Sequence, residues 1–306
     1  MRQKFADVSR QSRSVTINHA KIREYALSLT PLAKDDVYDT DHHFIGDDEE
    51  TAAYVMMLDS INFGGTLKRQ LEREGLELVD ESLYFTMATR LKRIFECDRP
   101  LMAEDLVGLD VGKTSALLGL RRSSSNMKWL AESYTESLRE LGEFILRDHD
   151  GRFMSVIETA DGSVEKLVED LAKLPSFNDV VEYNGIQVPL YKRAQITAAD
   201  LHLAFAHKGQ QLFNDIDELT TFPDNAVAHT LREDDILIYS DDLASRVANG
   251  VPLQVGSAEE VEIRACTAHA VELIRSHRPE LTSVDIDHIL WHRSHEPSYL
   301  QRPHHK

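Results

Sequence analysis

The chain has few cysteines and no long apolar run. Its two cysteines, Cys97 and Cys266, are far apart and neither belongs to a Cys-x-x-Cys pair. This argues against a zinc ribbon or a disulfide framework, so we expect both to be small buried hydrophobic residues. No apolar stretch is long enough to span a bilayer, and residues 1–15 lack the apolar segment of a secretory signal. We therefore expect a soluble, cytoplasmic protein without a membrane partner.

Basic residues are also scarce relative to acidic ones. The sequence has 34 Lys and Arg against 52 Asp and Glu, a net charge of −18. A protein that binds a nucleic-acid polymer needs a basic surface to release counterions, and this chain would on average repel such a polymer. A small phosphorylated ligand stays compatible, because a few local donors can hold one phosphate.

The remaining composition favours a helical protein with a large core. Hydrophobic residues make up 42% of the 306 residues, and most recur at helical spacing. The clear β signal is Asn184-Gly185 between two apolar runs, which predicts a β-hairpin near residues 180–190. The fold class is therefore mainly α with one small β-hairpin. Without repeats or linkers, we expect a single globular domain over 1–306, the alternative being two intimate lobes, about 1–150 and 151–306.

Several helix boundaries follow from local signals. Residues from Val15 to Leu29 have helical spacing, and Asp80 is expected to cap a helix that runs to about Phe95. A further helix is predicted from about Thr51 to Ile61. Capping boxes, in which an N-cap side chain and the third helical residue bond each other's backbone, are predicted at Ser257–Glu260 and Thr282–Asp285.

The stretch from Phe213 to Asp224 carries four carboxylates without a Lys or Arg at helical spacing. Asp224 follows Phe222-Pro223, which holds the chain extended and places the carboxylate on a loop against apolar surface. Burial of an unpaired carboxylate costs several kcal/mol, which favours a functional role. The alternative is that Asp224 only caps the following helix.

Two further sets of polar residues are candidates for ligand binding. Lys192 and Arg193 begin the helix that follows the hairpin, and two cations at a helix N-terminus form a potential anion site. His42 and His43 are adjacent, so they point in different directions, and at most one is expected to face a ligand.

Several ordered motifs resemble those of the queuosine salvage proteins. They are YKRAQITAAD at 191–200, DIDELTTFPD at 215–224, LIYSDDLASRVANG at 237–250, GSAEEVEIRAC at 256–266, and Leu290-Trp291. The resemblance covers about Asn62 to the C-terminus. It implies an all-helical core similar to that of DNA glycosylases and an enzyme of queuine salvage for tRNA modification. Such an enzyme hydrolyses queuosine 5′-phosphate to queuine and ribose 5-phosphate without a metal or other cofactor.

The resemblance also implies roles for individual residues. Asp224 resembles the catalytic carboxylate of the family and Lys192 its active-site lysine, with Arg193 beside it for the 5′-phosphate. Candidates for the pocket that holds the base are His43, Phe222, Asp287 and Trp291. The chain has Gly64-Gly65 where the family has aromatic residues, and it lacks the Leu-Pro-Gly-x-Gly signature of glycosylases that bind duplexes.

Two alternatives come from other functional classes. Arg147-Asp148-His149-Asp150 contains a His-Asp pair near a helix end, as in metal-dependent phosphohydrolases of the HD type, and His42 and His43 could complete such a site. The other alternative is a helical protein that binds a modified base without turnover. A product pocket and a transition-state pocket use much the same side chains, so sequence leaves this open.

Overall fold

The computed structural model describes residues 1–32, 38–97, 99–121 and 124–300. Within these ranges, helices predominate, and the strands form two small antiparallel sheets of two strands each. The prediction of a mainly α fold with a small β-hairpin is confirmed. Across the described ranges, no helix combines the length and the hydropathy needed to cross a membrane.

The helices vary widely in length, and the strands are short. In chain order the elements are α1 (Arg2–Gln11), β1 (Val15–Ile17), α2 (His19–Ser28), α3 (Asp48–Ser60), α4 (Lys68–Arg73), α5 (Leu83–Cys97), α6 (Ala103–Val107), α7 (Val111–Leu117), α8 (Ser125–Asp148), α9 (Phe153–Ala160), α10 (Val164–Leu171), β2 (Val180–Tyr183), β3 (Ile186–Pro189), α11 (Lys192–His207), α12 (Asn225–Glu233), β4 (Leu237–Tyr239), α13 (Asp241–Ala248), α14 (Ala258–Arg275), α15 (Ser283–Ser294) and α16 (Pro297–Leu300).

The chain divides into two compact units, each assembled from separate segments. The first unit comprises Met1–Val37, Asp179–Gln195 and Asp217–Lys306, and the second comprises Tyr38–Asn178 and Ile196–Ile216. The unit boundaries therefore lie at several points along the sequence, one of them within α11.

The predicted hairpin is confirmed. Strands β2 and β3 pair from Val180 with Pro189 to Tyr183 with Ile186. The turn residues Asn184 and Gly185 have φ angles of 48° and 79°, which a two-residue turn with two left-handed positions requires.

The prediction of a helix beginning at Val15 is wrong. Residues Val15–Ile17 form strand β1, which pairs antiparallel with β4, and the helix begins at His19. The β-branched sequence Val-Thr-Ile suits a strand, and Val15 and Ile17 are buried while Thr16 is exposed. Helical spacing of apolar residues cannot reveal a partner strand more than two hundred residues away.

Two of the predicted helix caps require correction. Asp80 has φ of 46° and lies before α5, and Ser82 instead accepts a hydrogen bond from the N–H of Phe85 at 3.3 Å. At α14, Ser257 caps the helix, but the Glu260 carboxylate bonds Gly256 and Arg264 instead of completing a capping box. The capping box of Thr282 and Asp285 at α15 is confirmed.

Each unit has its own packed interior. In the first unit, α14 contributes to two clusters of buried apolar side chains, one shared with α12, α15 and the β1–β4 sheet, the other with α1 and the hairpin. In the second unit, every residue from Thr51 to Ser60 of α3 is buried. Cys266 is buried as predicted, whereas Cys97 is exposed, contrary to prediction.

Candidate active site

A two-residue turn, Leu190–Tyr191, joins the hairpin of the first unit to α11 and is called the junction below. The N–H groups of Leu190 and Tyr191 both donate to the carbonyl oxygen of Asp179, at 2.9 and 3.2 Å. Tyr191 has φ of 46°, a left-handed conformation that costs a residue with a side chain about 1–3 kcal/mol. Its carbonyl accepts the first bond of the helix, from the N–H of Gln195 at 2.9 Å. This strained turn places Lys192 at the first position of α11.

Lys192 and Arg193 lie in the first turn of α11, as predicted. The backbone N–H of Lys192 donates to Oδ2 of Asp179 at 3.3 Å. Both cationic side chains are half-buried. The helix N-terminus and the two cations together favour an anionic group at this position.

The loop from Thr220 to Asp224 is held by side chains from separate elements. Gln195, fully buried on α11, accepts hydrogen bonds from the N–H and Oγ1 of Thr220 at 2.9 and 3.0 Å. Its Nε2 donates to the carbonyl of Leu190 at 2.8 Å. Gln195 therefore ties the loop to the junction that precedes Lys192.

Asp287 on α15 holds the middle of the same loop. Its Oδ1 accepts hydrogen bonds from the Thr221 hydroxyl and from the N–H of Phe222, the latter at 2.8 Å. The side chain is 3% exposed. Burial, and then the nearby charge of Asp224, raise the pKa of Asp287 to about 8, against the opposing effects of its hydrogen bonds and of Lys192. Burial in this place therefore favours the protonated form of this carboxyl group.

Asp224 is the N-cap of α12. Its Oδ1 accepts hydrogen bonds from the N–H groups of Ala226 and Val227 at 2.9 and 3.1 Å. Within the described part of the chain, these are the hydrogen bonds of the carboxylate, and both are made by Oδ1. The capping geometry expected as the alternative reading is confirmed, and it fixes the orientation of the carboxylate without excluding a functional role.

The two aromatic candidates of this unit differ in burial. Phe222 is 2% exposed, and its ring centroid lies 6.3 Å from that of His288. Trp291 is partly buried and packs against the core and His295. It follows Asp287 by four residues on α15 and so lies on the same helix face.

The carboxylates before Asp224 in its stretch have partners distant in sequence. Glu218 pairs with Arg2 at 2.8 Å, and Asp217 with Arg275 at 3.5 Å, within the first unit. In the second unit, Asp215 accepts hydrogen bonds from the Ser163 hydroxyl and the N–H of Val164. Local spacing alone gave no sign of these pairs.

His43 belongs to the second unit, in an aromatic cluster with Tyr38, Tyr54, Tyr84 and Phe85. Its Nδ1 lies 2.8 Å from the carbonyl oxygen of Asp39, and its Nε2 lies 2.8 Å from the Tyr84 hydroxyl. Because a carbonyl only accepts, Nδ1 carries a proton, whereas Nε2 pairs with the Tyr84 hydroxyl, which also donates to Oδ2 of Asp200 at 3.4 Å. Burial lowers the pKa of His43, which favours the neutral imidazole.

His42 directs its ring nitrogens to other groups than His43 does, although both residues contact Asp39 and Phe85. Its ring nitrogens face the carboxylates of Asp39 and Asp80. His42 also contacts the Phe85 ring, with the centroids 4.5 Å apart.

The residues that suggested an HD phosphohydrolase do not converge. The carboxylate of Asp148 pairs with Arg147 at 2.7 Å, whereas the buried ring of His149 lies 3.0 Å from Asp170. Throughout the described ranges, no three His, Cys, Asp or Glu side chains are grouped as a metal site requires.

Sequence reasoning missed Gln195, Asp179, Arg264 and Thr221, whose hydrogen bonds hold the loop before Asp224 and the backbone that carries Lys192. Gln195 belongs to the motif YKRAQITAAD, and Arg264 interrupts the apolar positions of the helix predicted after Ser257. An arginine among buried positions of a helix was the available signal, since buried charges require partners.

Comparison with known proteins agrees with the resemblance of the motifs. The sequence model of the family described as queuosine salvage protein matches residues 42–306. The chain belongs to the queuosine salvage protein family. The match includes the junction, the loop from Thr220 to Asp224, and α15.

Curated relatives in this queuosine salvage family have the name queuosine 5′-phosphate N-glycosylase/hydrolase. One from Sphaerobacter thermophilus is 32% identical over 293 residues, covering 93% of this chain and 88% of the relative. Another from Mus musculus is 28% identical over 312 residues, covering 94% and 91%. A third from Dictyostelium discoideum is 30% identical over 275 residues, covering 84% and 77%.

Proposed function

We propose that this protein hydrolyses the N-glycosidic bond of queuosine 5′-phosphate and releases queuine and ribose 5-phosphate. The observation that carries this proposal is the Asp224 carboxylate, held by the N–H groups of Ala226 and Val227 in the same unit as the buried Asp287. Membership in the queuosine salvage family and the names of the relatives support this substrate. The net charge of −18 favours a free nucleotide over a nucleic-acid polymer.

Asp224 is the group that stabilises the transition state. When the bond from C1′ to the base nitrogen breaks, positive charge develops on the ribose ring. A carboxylate whose orientation is fixed by two backbone N–H groups stabilises that charge without reorganising. Water then forms the new bond to C1′, and its proton passes to a base, a role that Asp224 can also fill.

The leaving base needs help from other groups. Position seven of a 7-deazaguanine is carbon and cannot accept a proton, so the departing negative charge must be stabilised elsewhere on the base. Asp287 can donate a hydrogen bond when protonated, or hold the amine of the queuine side chain when ionised. Phe222 and Trp291, within the first unit, are also proposed to bind the base. His43 remains a separate prediction from the resemblance of the motifs.

Lys192, with Arg193, binds the 5′-phosphate. The two cations lie in the first turn of α11, where the backbone also favours an anion. This contact gives the nucleotide an advantage over the nucleoside. Asp224 and Lys192 would then act on opposite ends of the ribose 5-phosphate group.

The deciding experiment is incubation of the purified protein with queuosine 5′-phosphate, with the products separated by chromatography and identified by mass spectrometry. Free queuine and ribose 5-phosphate are expected, and neither should form with Asp224→Ala. Queuosine and inorganic phosphate would instead indicate a phosphohydrolase. An unchanged nucleotide that stays bound would indicate a binding protein.

A further inference from the structure

Arg264 is a buried charge within the first unit. It lies on α14 between Ile263 and Ala265, which are at most 1% exposed, and its own side chain is 16% exposed. A charge in such a place costs several kcal/mol unless it is paired and hydrogen-bonded. The partners of Arg264 therefore indicate what this arginine does.

The guanidinium group contacts two segments that approach the candidate site separately. Its Nε donates to the carbonyl oxygen of Pro223 at 3.1 Å, directly before Asp224. Nη1 donates to Oδ1 of Asp179 at 3.1 Å, and Nη2 donates to Oδ2 of the same carboxylate. Nη1 also reaches Glu260, one turn earlier on α14, at 3.2 Å. The planar guanidinium group thus holds the Asp179 carboxylate by two hydrogen bonds, a bidentate contact that a lysine cannot reproduce.

Asp179 in turn holds the backbone that carries Lys192. Oδ2 of Asp179 accepts a hydrogen bond from the N–H of Lys192 at 3.3 Å. The backbone carbonyl of Asp179 accepts hydrogen bonds from the N–H groups of Leu190 and Tyr191. Tyr191 is the residue with φ of 46°. A strained conformation persists only where its surroundings determine it, and the hydrogen bonds to Asp179 are part of those surroundings.

We propose that Arg264, acting through Asp179, is a positioning residue that sets the separation between the Asp224 carboxylate and Lys192. The chain of contacts runs from the Pro223 carbonyl through the guanidinium and the Asp179 carboxylate to the N–H of Lys192. The inference rests on the proposed function, in which Asp224 acts at C1′ and Lys192 binds the 5′-phosphate. Because both groups belong to one ribose 5-phosphate, their separation must match the substrate, and a displacement of about 1 Å can cost about 10²-fold in rate.

The kinetic test compares Arg264→Lys and Arg264→Met with a control, Arg246→Met. Arg246, on α13, pairs at 3.0 Å with Glu259 on α14, the helix of Arg264, but it contacts neither Pro223 nor Asp179. We expect kcat on queuosine 5′-phosphate to fall about 10²-fold in both Arg264 variants. The concentration of active sites in each preparation is measured by queuine binding. The control should stay within about twofold of wild type.

The preference for nucleotide over nucleoside separates positioning from general destabilisation. In the Arg264 variants the ratio of kcat/KM for queuosine 5′-phosphate to that for queuosine should fall about tenfold, because the phosphate contact no longer aligns C1′ with Asp224. A general defect in folding would lower kcat/KM for both substrates by the same factor. Guanidinium added to Arg264→Ala should restore part of the activity, and methylammonium should not. If Arg264→Lys has the kcat of the wild type and the same ratio of kcat/KM between nucleotide and nucleoside, the proposal is overturned.

Hydrogen exchange tests the linkage without substrate. In Arg264→Met, peptides that contain Lys192 and Asp224 should lose backbone protection together, and in Arg246→Met both should exchange as in wild type. Unchanged protection of both peptides in Arg264→Met would refute the linkage. If wild-type protein fails to cleave the nucleotide, the proposed function is wrong, and this exchange experiment still decides whether Arg264 couples the two segments.

Discussion

The backbone N–H of Phe222 donates a hydrogen bond to Oδ1 of Asp287, 2.8 Å away. The Thr221 hydroxyl donates to the same oxygen, so one carboxyl oxygen determines the path of the loop immediately before Asp224. The pKa of Asp287 is nevertheless raised to about 8, because burial and the charge of Asp224 outweigh these two donors. Asp287 is therefore both a structural support of the loop and a titratable group beside the candidate catalytic carboxylate.

Asp224→Asn should reduce the hydrolysis rate about 10²–10³-fold with little change in stability. Asparagine is a good N-cap and its amide oxygen can accept the N–H groups of Ala226 and Val227. Asp224→Ala should lose the same activity and also about 1 kcal/mol of unfolding free energy. Product release and denaturant unfolding measure the two effects, and an active Asp224→Asn enzyme would remove Asp224 from the catalytic role.

Lys192→Ala should slow cleavage of queuosine 5′-phosphate about 10–100-fold, as expected for the loss of a charged hydrogen bond, and should barely affect queuosine. The exposed Lys21, which pairs with Asp235 at 2.8 Å, offers the control substitution Lys21→Ala. Steady-state kinetics on both substrates checks the prediction. Equal losses on nucleotide and nucleoside would contradict a phosphate contact.

Asp287→Asn should stabilise the protein relative to wild type, increasingly as the pH rises from about 4 to 8. In wild type the unfolded carboxyl ionises near 3.8, whereas the folded one stays protonated until about 8. The unfolded state therefore binds fewer protons in this range, and folding weakens by about 1.4 kcal/mol for each unit of pKa difference. Asparagine cannot ionise and keeps an oxygen for Thr221 and Phe222.

Thermal melts of both proteins across this pH range measure the effect. A difference in Tm that stays constant with pH would show that the pKa of Asp287 is not raised. Activity provides a second reading, because the stabilised Asp287→Asn enzyme should bind the base more weakly, as expected when a functional group is costly to bury.

His43→Ala should raise KM for queuosine 5′-phosphate about tenfold, on the order of one lost hydrogen bond and one ring contact. His42 serves for comparison, because its ring nitrogens face the carboxylates of Asp39 and Asp80, whereas those of His43 face the Asp39 carbonyl and the Tyr84 hydroxyl. His42→Ala should leave KM within about twofold. Equal KM values for His43→Ala and wild type would place His43 outside the base-binding set.

Removal of metal ions should leave the rate unchanged. The proposed chemistry uses a carboxylate, a lysine and water, and assigns no step to a metal. Activity before and after treatment with a chelator, together with metal analysis of the purified protein, checks this. Loss of activity that is restored by one divalent ion would favour the phosphohydrolase class.

Short-range signals in the sequence were sufficient for much of the fold and part of the site. Asn184-Gly185 predicted the hairpin because only a few residue types adopt two successive left-handed conformations. The predicted start of α11 placed Lys192 and Arg193 in its first turn, and capping by Asp224 was one of the two alternatives that the sequence left open. The motifs shared with queuosine salvage proteins indicated the family, which the comparison then showed.

Features that depend on distant residues required the tertiary structure. Val15–Ile17 became a strand because β4 supplies its hydrogen-bonding partner. The raised pKa of Asp287 and the contacts of Arg264 with Pro223 and Asp179 depend on burial and on pairs far apart in sequence. The sequence thus determined the elements and the chemical groups. Tertiary packing decided which groups meet and how each is ionised, because distant parts of the chain supply the partners and exclude the water.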